Sequence, residues 1–228
     1  GKYVVATKEQ EVSALNRLYE KALNNKISGI EWCEAEEIQD FVNVEKAFFS
    51  KDTGYIDVPI ALKKIELILI SQGVHILRDN YVDSISSEQD HFLVNSKNEN
   101  IKTDRLFNCS GYESIRLRTY LGLTDFEDRF VKGSYLILKK KFFNKSLIYP
   151  VPEEGLIGLG VHTTIDSSGV IRFGPNTAET SNYDYLTEED SLEKMWPAIN
   201  ALFKNIDKSE LSLDYSGVRT KLVKDGAY

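Results

Sequence analysis

Between Phe130 and Asn176 the sequence FVKGSYLILKKKFFNKSLIYPVPEEGLIGLGVHTTIDSSGVIRFGPN sets β-branched and aromatic runs between turn residues at Asn144, at Glu153 to Gly155 and at Asp166 to Gly169. Runs of this kind suit a pleated, half-buried surface, so the stretch predicts four strands in succession. With 228 residues, 42% of them hydrophobic, the chain has enough apolar surface for a sizeable core, as one large domain or two small ones.

The flanking segments alternate between helical and extended patterns. GKYVVAT reads as a short strand, and Thr7 with Gln10 has the capping-box spacing of a helix start. The helix is expected to reach about Asn24, because Val12, Leu15, Leu18, Tyr19 and Ala22 fall on one stripe. A second, shorter helix is expected in CEAEEIQDFV, after which KAFFSKDTGYIDV becomes extended through Gly54, where the chain is expected to cross between domains. ALKKIELILISQGVHILRDN predicts a helix stopped at Gly73 and a strand from His75 to Arg78. VDSISSE, HFLVNSK and NIKTD read as a three-stranded meander, and RLFNCSG as a strand entering a glycine turn before a helix from about Glu113 to Leu121. Beyond the central strands come a polar loop, NTAETSNYDYLTEED, and a helix in SLEKMWPAINALFKN with apolar spacing at Leu192, Met195, Trp196, Ile199 and Phe203. Pro197 inside it removes a backbone donor and predicts a kink or a first-turn position. A strand and loop in LSLDYSGVRTKLVKDGAY close the sequence.

Composition narrows the function. The formal charge of -7 argues against a general nucleic-acid binder, which needs a basic face to release counterions, and points to a small-molecule partner. Cys33 and Cys109 are too few for a disulfide framework and lack zinc-site spacing, so no metal site is expected. They fit a reducing compartment, and with no apolar run of spanning length or signal-peptide pattern the expected location is the cytoplasm.

LIYPVP, IGLGVHTT and RFGPN, in that order and at that separation, resemble the substrate-domain core of FAD-dependent L-2-hydroxyglutarate dehydrogenases and oxidases, within the D-amino-acid oxidase and glycine oxidase superfamily. The βββ excursion from Val82 resembles the part of glutathione-reductase-type FAD domains that follows the first crossover helix. The resemblance implies an α+β chain: a mixed, largely antiparallel substrate-domain sheet with flanking helices, plus part of the FAD domain. It divides the chain into a first substrate-domain part at 1–52, a middle FAD-domain segment at 53–114 and a second substrate-domain part at 115–228.

The candidate site residues follow from residue chemistry beside that resemblance. Strand alternation puts His162 on the face shared with Gly160 and Thr164, opposite Val161 and Thr163. A lone strand histidine is more often structural, but LGVH resembles the family motif whose histidine faces the substrate, which implies a base for the substrate hydroxyl. His75 and His91 match no motif and read as surface or packing residues. A C-terminal arginine is by itself most simply a surface residue. YSGVRTK, however, resembles a family segment in which Arg219 holds a substrate carboxylate through its two-pronged guanidinium, with Lys221 as a second cation; Thr220 stands where the family has proline. Tyr135 and Tyr149, read as lying in one sheet, and Asn176 in the GPN turn are further substrate-binding candidates by resemblance. NCSG resembles the family's NCAG turn, where small residues let backbone N–H groups approach a pyrophosphate or ribose. This makes Cys109, Ser110 and Gly111 cofactor-binding candidates, with Cys109 a small buried residue and Val82 meeting the adenine.

GxGxxG is absent from the sequence, whereas family members carry it before the segment matching GKYVV, so the reading is of a central fragment of a longer enzyme. The implied cofactor is FAD, the implied substrate a dicarboxylate, and the implied electron acceptor oxygen or a membrane quinone. KKKFF, Lys139 to Phe143, is most simply a strand end with solvated lysines; the alternative is a weak membrane-surface contact that would make the protein peripheral at the inner face. Two rival functions stay open: an amine oxidase of the glycine or sarcosine type, and a binding domain that lost its cofactor.

Overall fold

The apolar run after Lys2 forms β1 (Lys2–Ala6), which lies inside a sheet of order β2-β3-β1-β8. Its neighbours are β3 (Lys46–Ser50), antiparallel with Val4 opposite Phe48, and β8 (Leu147–Pro150), parallel with Val4 opposite Tyr149. The outer strand β2 (Ile30–Cys33) pairs antiparallel with β3. The computed structural model describes residues 1–141, 146–152, 160–181 and 183–224. Within it the chain forms two units, one from Gly1–Asp57, Lys132–Ala178 and Asp184–Gly217, the other from Val58–Val131, Glu179–Tyr183 and the chain from Val218.

In the first unit, α1 (Glu9–Asn24) covers the sheet of β1. Leu15, fully buried, meets Val4, Ala6, Phe48 and Val151, with Val12, Leu18 and Tyr19 packed around them, as the stripe predicts. The expected capping box does not form: Lys8 is the N-cap, without a side-chain cap bond, and Glu11, not Gln10, reaches back, accepting from Thr7 N–H at 2.7 Å and Thr7 Oγ1 at 3.1 Å. The helix expected in CEAEEIQDFV is a single 3-10 turn, Ala35–Glu37, preceded by β2, which the pattern did not predict. Glu34 and Glu37 cap each other across that turn, and Ile38 and Val42 then enter the core, where Val42 bridges to Phe203. That tertiary demand stops the helix after one turn.

The four central strands form in the expected order but in two sheets. β8 joins β1, whereas β7 (Glu127–Leu138), β9 (His162–Ile165), β10 (Ile171–Thr180) and β11 (Leu211–Val223) make a second sheet of order β11-β7-β10-β9. Tyr135 and Tyr149 therefore lie in different sheets, because the partner of β8 is the distant β1 and no local periodicity encodes a distant partner. Of the turn residues, Asn144 and Glu153 to Gly155 lie outside the described residues, as do Phe142 and Phe143. Strand β10 continues to Thr180, taking up the start of the expected polar loop. α4 (Ser191–Leu202) holds Pro197 without interruption and buries Met195, Ile199 and Leu202 against Val5, Ile148, Leu136 and Phe173.

In the second unit, α2 (Val58–Ser71) ends before Gly73, whose φ of 81° suits only glycine readily. The meander is formed by β4 (Val82–Ser87), β5 (Phe92–Ser96) and β6 (Asn100–Thr103), in the order β4-β5-β6 with both pairs antiparallel. α3 (Ser114–Thr119) follows. Neither His75 to Arg78 nor RLFNCSG is a strand, since no neighbouring strand among the described residues hydrogen-bonds to either.

Candidate functional site

His162 opens β9 directly after a turn at Gly160, whose φ of 75° is left-handed. Gly160 is therefore not a strand neighbour of His162, as alternation predicts, but a turn residue whose carbonyl lies 2.8 Å from His162 Nδ1. A carbonyl only accepts, so Nδ1 carries the proton and the lone pair of the neutral ring is on Nε2. The ring stacks on Tyr149 at 3.9 Å between centroids, and Lys2 Nζ lies 5.0 Å from the Tyr149 centroid. The next residue, Thr163, faces the other way, where its Oγ1 accepts from the Ile148 N–H at 2.7 Å and ties β9 to β8.

His162 is only 6% exposed. Burial pushes its pKa below the ordinary histidine value; the Gly160 carbonyl opposes that and the positive charge of Lys2 adds to it. The imidazole is thus neutral near pH 7, and its second nitrogen has no hydrogen-bond partner among the described residues. Burial likewise raises the Tyr149 phenol, which stays protonated.

Across the second sheet, Gly174 of β10 stands opposite His162. A Cβ on Gly174 would lie 2.7 Å from Ser134 O and 2.8 Å from Tyr135 Cδ1, so the Tyr135 ring covers the space a side chain would fill. Tyr135 stacks on Tyr215 at 4.8 Å, and the Arg172 guanidinium lies 5.9 Å from the Tyr215 ring. Arg172 is held by Asp166 at 2.7 Å and Asp214 at 2.5 Å, which makes it a brace for the sheet with its charge already matched. Asn176 serves the backbone, its Oδ1 accepting from the Ser134 N–H at 3.0 Å. Lys2, Tyr215 and the Arg172 pairs were not singled out from sequence; nothing in strand alternation marks a lysine at the head of β1.

The remaining candidates are in the second unit. An open cleft of about 770 Å³ is lined by Asn108, Cys109, Ser110, Gly111, Arg219 and Thr220, among others. Arg219, expected at the substrate, and the turn expected at the cofactor therefore share one cleft. Asn108 Oδ1 accepts from Ser110 Oγ at 2.7 Å and from Ser110 N–H at 3.3 Å, shaping the turn. Gly111 adopts φ of 62°, with nothing within 4 Å of where its Cβ would be, so glycine is needed there for backbone conformation. Cys109 is exposed instead of buried, and no strand among the described residues pairs with the segment before it. Lys221 is half-buried on β11. Val82, at the head of β4, directs its carbonyl to Arg116 Nη1 at 3.3 Å. A left-handed glycine turn beside an open cleft fits a phosphate or ribose, so Cys109, Ser110 and Gly111 are the residues that would hold part of a nucleotide cofactor, with Arg219 lining the same cleft.

Other groups sit apart from this chemistry. Cys33 is pushed up to about 12 by burial, with Glu37 adding to the effect, which leaves an inert thiol. His91 pairs with Glu88 at 3.0 Å. Lys140 is bound to Glu210 at 2.6 Å, which removes one lysine from the basic run KKKFF. No helix among the described residues is long and apolar enough to cross a membrane.

Known proteins place this arrangement. The chain is 28% identical to the mitochondrial L-2-hydroxyglutarate dehydrogenase of Arabidopsis thaliana, over 97% of this chain and 56% of that protein. It is 31% identical to the mitochondrial L-2-hydroxyglutarate dehydrogenase of Caenorhabditis briggsae, over 98% of this chain and 51% of that protein. It spans about half the length of these curated relatives. Its fold is that of the FAD-bound L-α-glycerophosphate oxidase of Mycoplasma pneumoniae, with a TM-score of 0.85 at 20% identity, over 100% of this chain and 62% of that one. The model of the DAO family, FAD dependent oxidoreductase, matches residues 1–228, and the chain belongs to that family.

Proposed function

We propose that this chain is the central part of a longer FAD-dependent enzyme that oxidises an L-2-hydroxy acid, L-2-hydroxyglutarate to 2-oxoglutarate in the first instance. The observation that carries the reading is His162: a buried, neutral imidazole with Nδ1 tied to Gly160 and Nε2 left basic, set in the GVHTT segment. The names of the relatives support the substrate. When bound, FAD supplies the two-electron acceptor for the hydrogen leaving C2. The chain's residues do the rest. His162 Nε2 takes the hydroxyl proton as the C–O bond becomes a carbonyl. Tyr149 fixes the plane of the imidazole, and Tyr135 offers its phenol to a bound carboxylate. The role proposed for Arg219 and Lys221 is binding a carboxylate, and for Val82 and the Cys109 to Gly111 turn, contact with FAD. In this reading residues 1–52 and 115–228 belong to the substrate domain and 53–114 to the FAD domain, and the electron acceptor is oxygen or a quinone.

The test is an absorption spectrum of the full-length protein before and after anaerobic addition of substrate. Flavin bands that bleach with L-2-hydroxyglutarate and persist with the D form are the expected result. A colourless protein would support a binding domain without cofactor, and bleaching by amino acids alone would support an amine oxidase.

A further inference from the structure

Lys2 is held more firmly than a residue at the head of a strand usually is, because β1 has a neighbour on each side: Lys2 pairs with Ser50 of β3 and with Leu147 of β8. Its side chain reaches the ring of Tyr149, the same ring on which His162 stacks. An ammonium over an aromatic face is attracted by the ring quadrupole, but that contact does not neutralise it. No carboxylate of the described residues forms an ion pair with Lys2. Burial lowers its pKa with no anion opposing the effect, and its positive charge is felt at His162. A half-buried cation that no described carboxylate pairs, beside a neutral base, is a place where an anion is stabilised on arrival.

The chemistry of a 2-hydroxy acid says which anion. Its C1 carboxylate is bonded to the carbon that bears the hydroxyl, so whatever binds that carboxylate must lie next to the group that takes the hydroxyl proton. Lys2 meets that requirement within the unit that holds His162. Resting on the reading of His162 as the base, we propose that Lys2 is a substrate-binding residue whose ammonium takes the carboxylate adjacent to the oxidised carbon. The second carboxylate of a dicarboxylic substrate is bound by other groups. Among the described residues, the groups placed against His162 are Lys2 from β1, the neutral phenol of Tyr149 from β8 and the Gly160 carbonyl, and of these Lys2 carries the charge.

The test compares full-length flavoprotein carrying Lys2 with Lys2→Met and Lys2→Arg. Three readouts are used: steady-state kinetics on L-2-hydroxyglutarate, kinetics on its C5-amide, which keeps only the C1 carboxylate, and calorimetric binding of 2-oxoglutarate. Lys2→Met is expected to raise KM and the 2-oxoglutarate Kd by about 10- to 100-fold, the range of a lost charged hydrogen bond, with kcat changed less. Lys2→Arg is expected to restore most of that loss. The same factor is expected with the C5-amide, and the acid limb of the kcat/KM profile should move to higher pH once the charge beside His162 is gone. If Lys2→Met is recovered without flavin, Lys2→Gln carries the same comparison. Unchanged KM and Kd would overturn the assignment of Lys2 alone. A loss that vanishes with the C5-amide would also overturn it, by placing Lys2 at the other carboxylate. A wild-type protein that neither turns over L-2-hydroxyglutarate nor binds 2-oxoglutarate would overturn the parent reading together with this one.

Discussion

Arg172 and His162 show how differently two polar residues on neighbouring strands can be used. Arg172 is matched by Asp166 and Asp214, while His162 gives one nitrogen to Gly160 and no described residue bonds the other. The hydrogen bond from Arg172, with help from Ser168, holds the Asp166 carboxyl well below the usual carboxylate range. A carboxylate with a depressed folded-state pKa contributes stability above its unfolded value of about 3.9, and that contribution is lost as the pH falls below it. Because these groups are partly exposed, the gain is modest. Arg172→Met is expected to lower the melting temperature by roughly 2–6 °C near neutral pH. The gap to wild type should narrow below about pH 4, where the unfolded carboxyl takes up its proton. Thermal melts at the two pH values check this; a gap that is the same at both would show that Arg172 acts through packing.

At the scale of elements, β10 depends on a glycine. Gly174 has φ of 147° and faces Tyr135 Cδ1 and Ser134 O at distances no Cβ can accept. Gly174→Ala is therefore expected to destabilise the protein by about 1–3 kcal/mol, read in denaturant melts, since both strand backbone and tyrosine must shift. A variant as stable as wild type would mean that Tyr135 moves aside freely. RFGPN was legible as a turn-like motif, but not the reason for its glycine, which lies on the next strand. The same distinction runs through the fold. Elements whose signal is local were readable: the α1 stripe around Leu15, the α4 stripe around Met195 and Ile199, and the β4-β5-β6 meander. What depends on a distant partner was not. β8 went to the sheet of β1, β2 was missed, CEAEEIQDFV stopped after one turn, and two strand-like runs formed no ladder without a neighbour. At the site, His162 stood out through GVHTT, whereas Lys2 acquires its place only when β1 pairs with β8.

For the whole molecule, α2 carries apolar side chains that the described residues leave open, with Leu62 60% and Leu67 59% exposed, and Phe107 is 81% exposed. Exposed apolar surface on this scale marks a face that is normally covered. It agrees with a chain spanning about half the length of its curated relatives and with the proposal that the complete enzyme supplies the cover. Function is therefore to be measured on the full-length flavoprotein, and the central claim is that the Nε2 of His162 accepts the hydroxyl proton. The measurement that bears on it most directly is the rate of anaerobic flavin bleaching by L-2-hydroxyglutarate as a function of pH, for wild type and for His162→Gln. With its pKa lowered by burial, His162 is already neutral at pH 7, so the wild-type rate should be level there and fall only below about pH 6.5. His162→Gln, still carrying flavin, should be slower by about 10²- to 10⁴-fold and lose that acid limb. A variant that bleaches at the wild-type rate with the same pH profile would contradict the account.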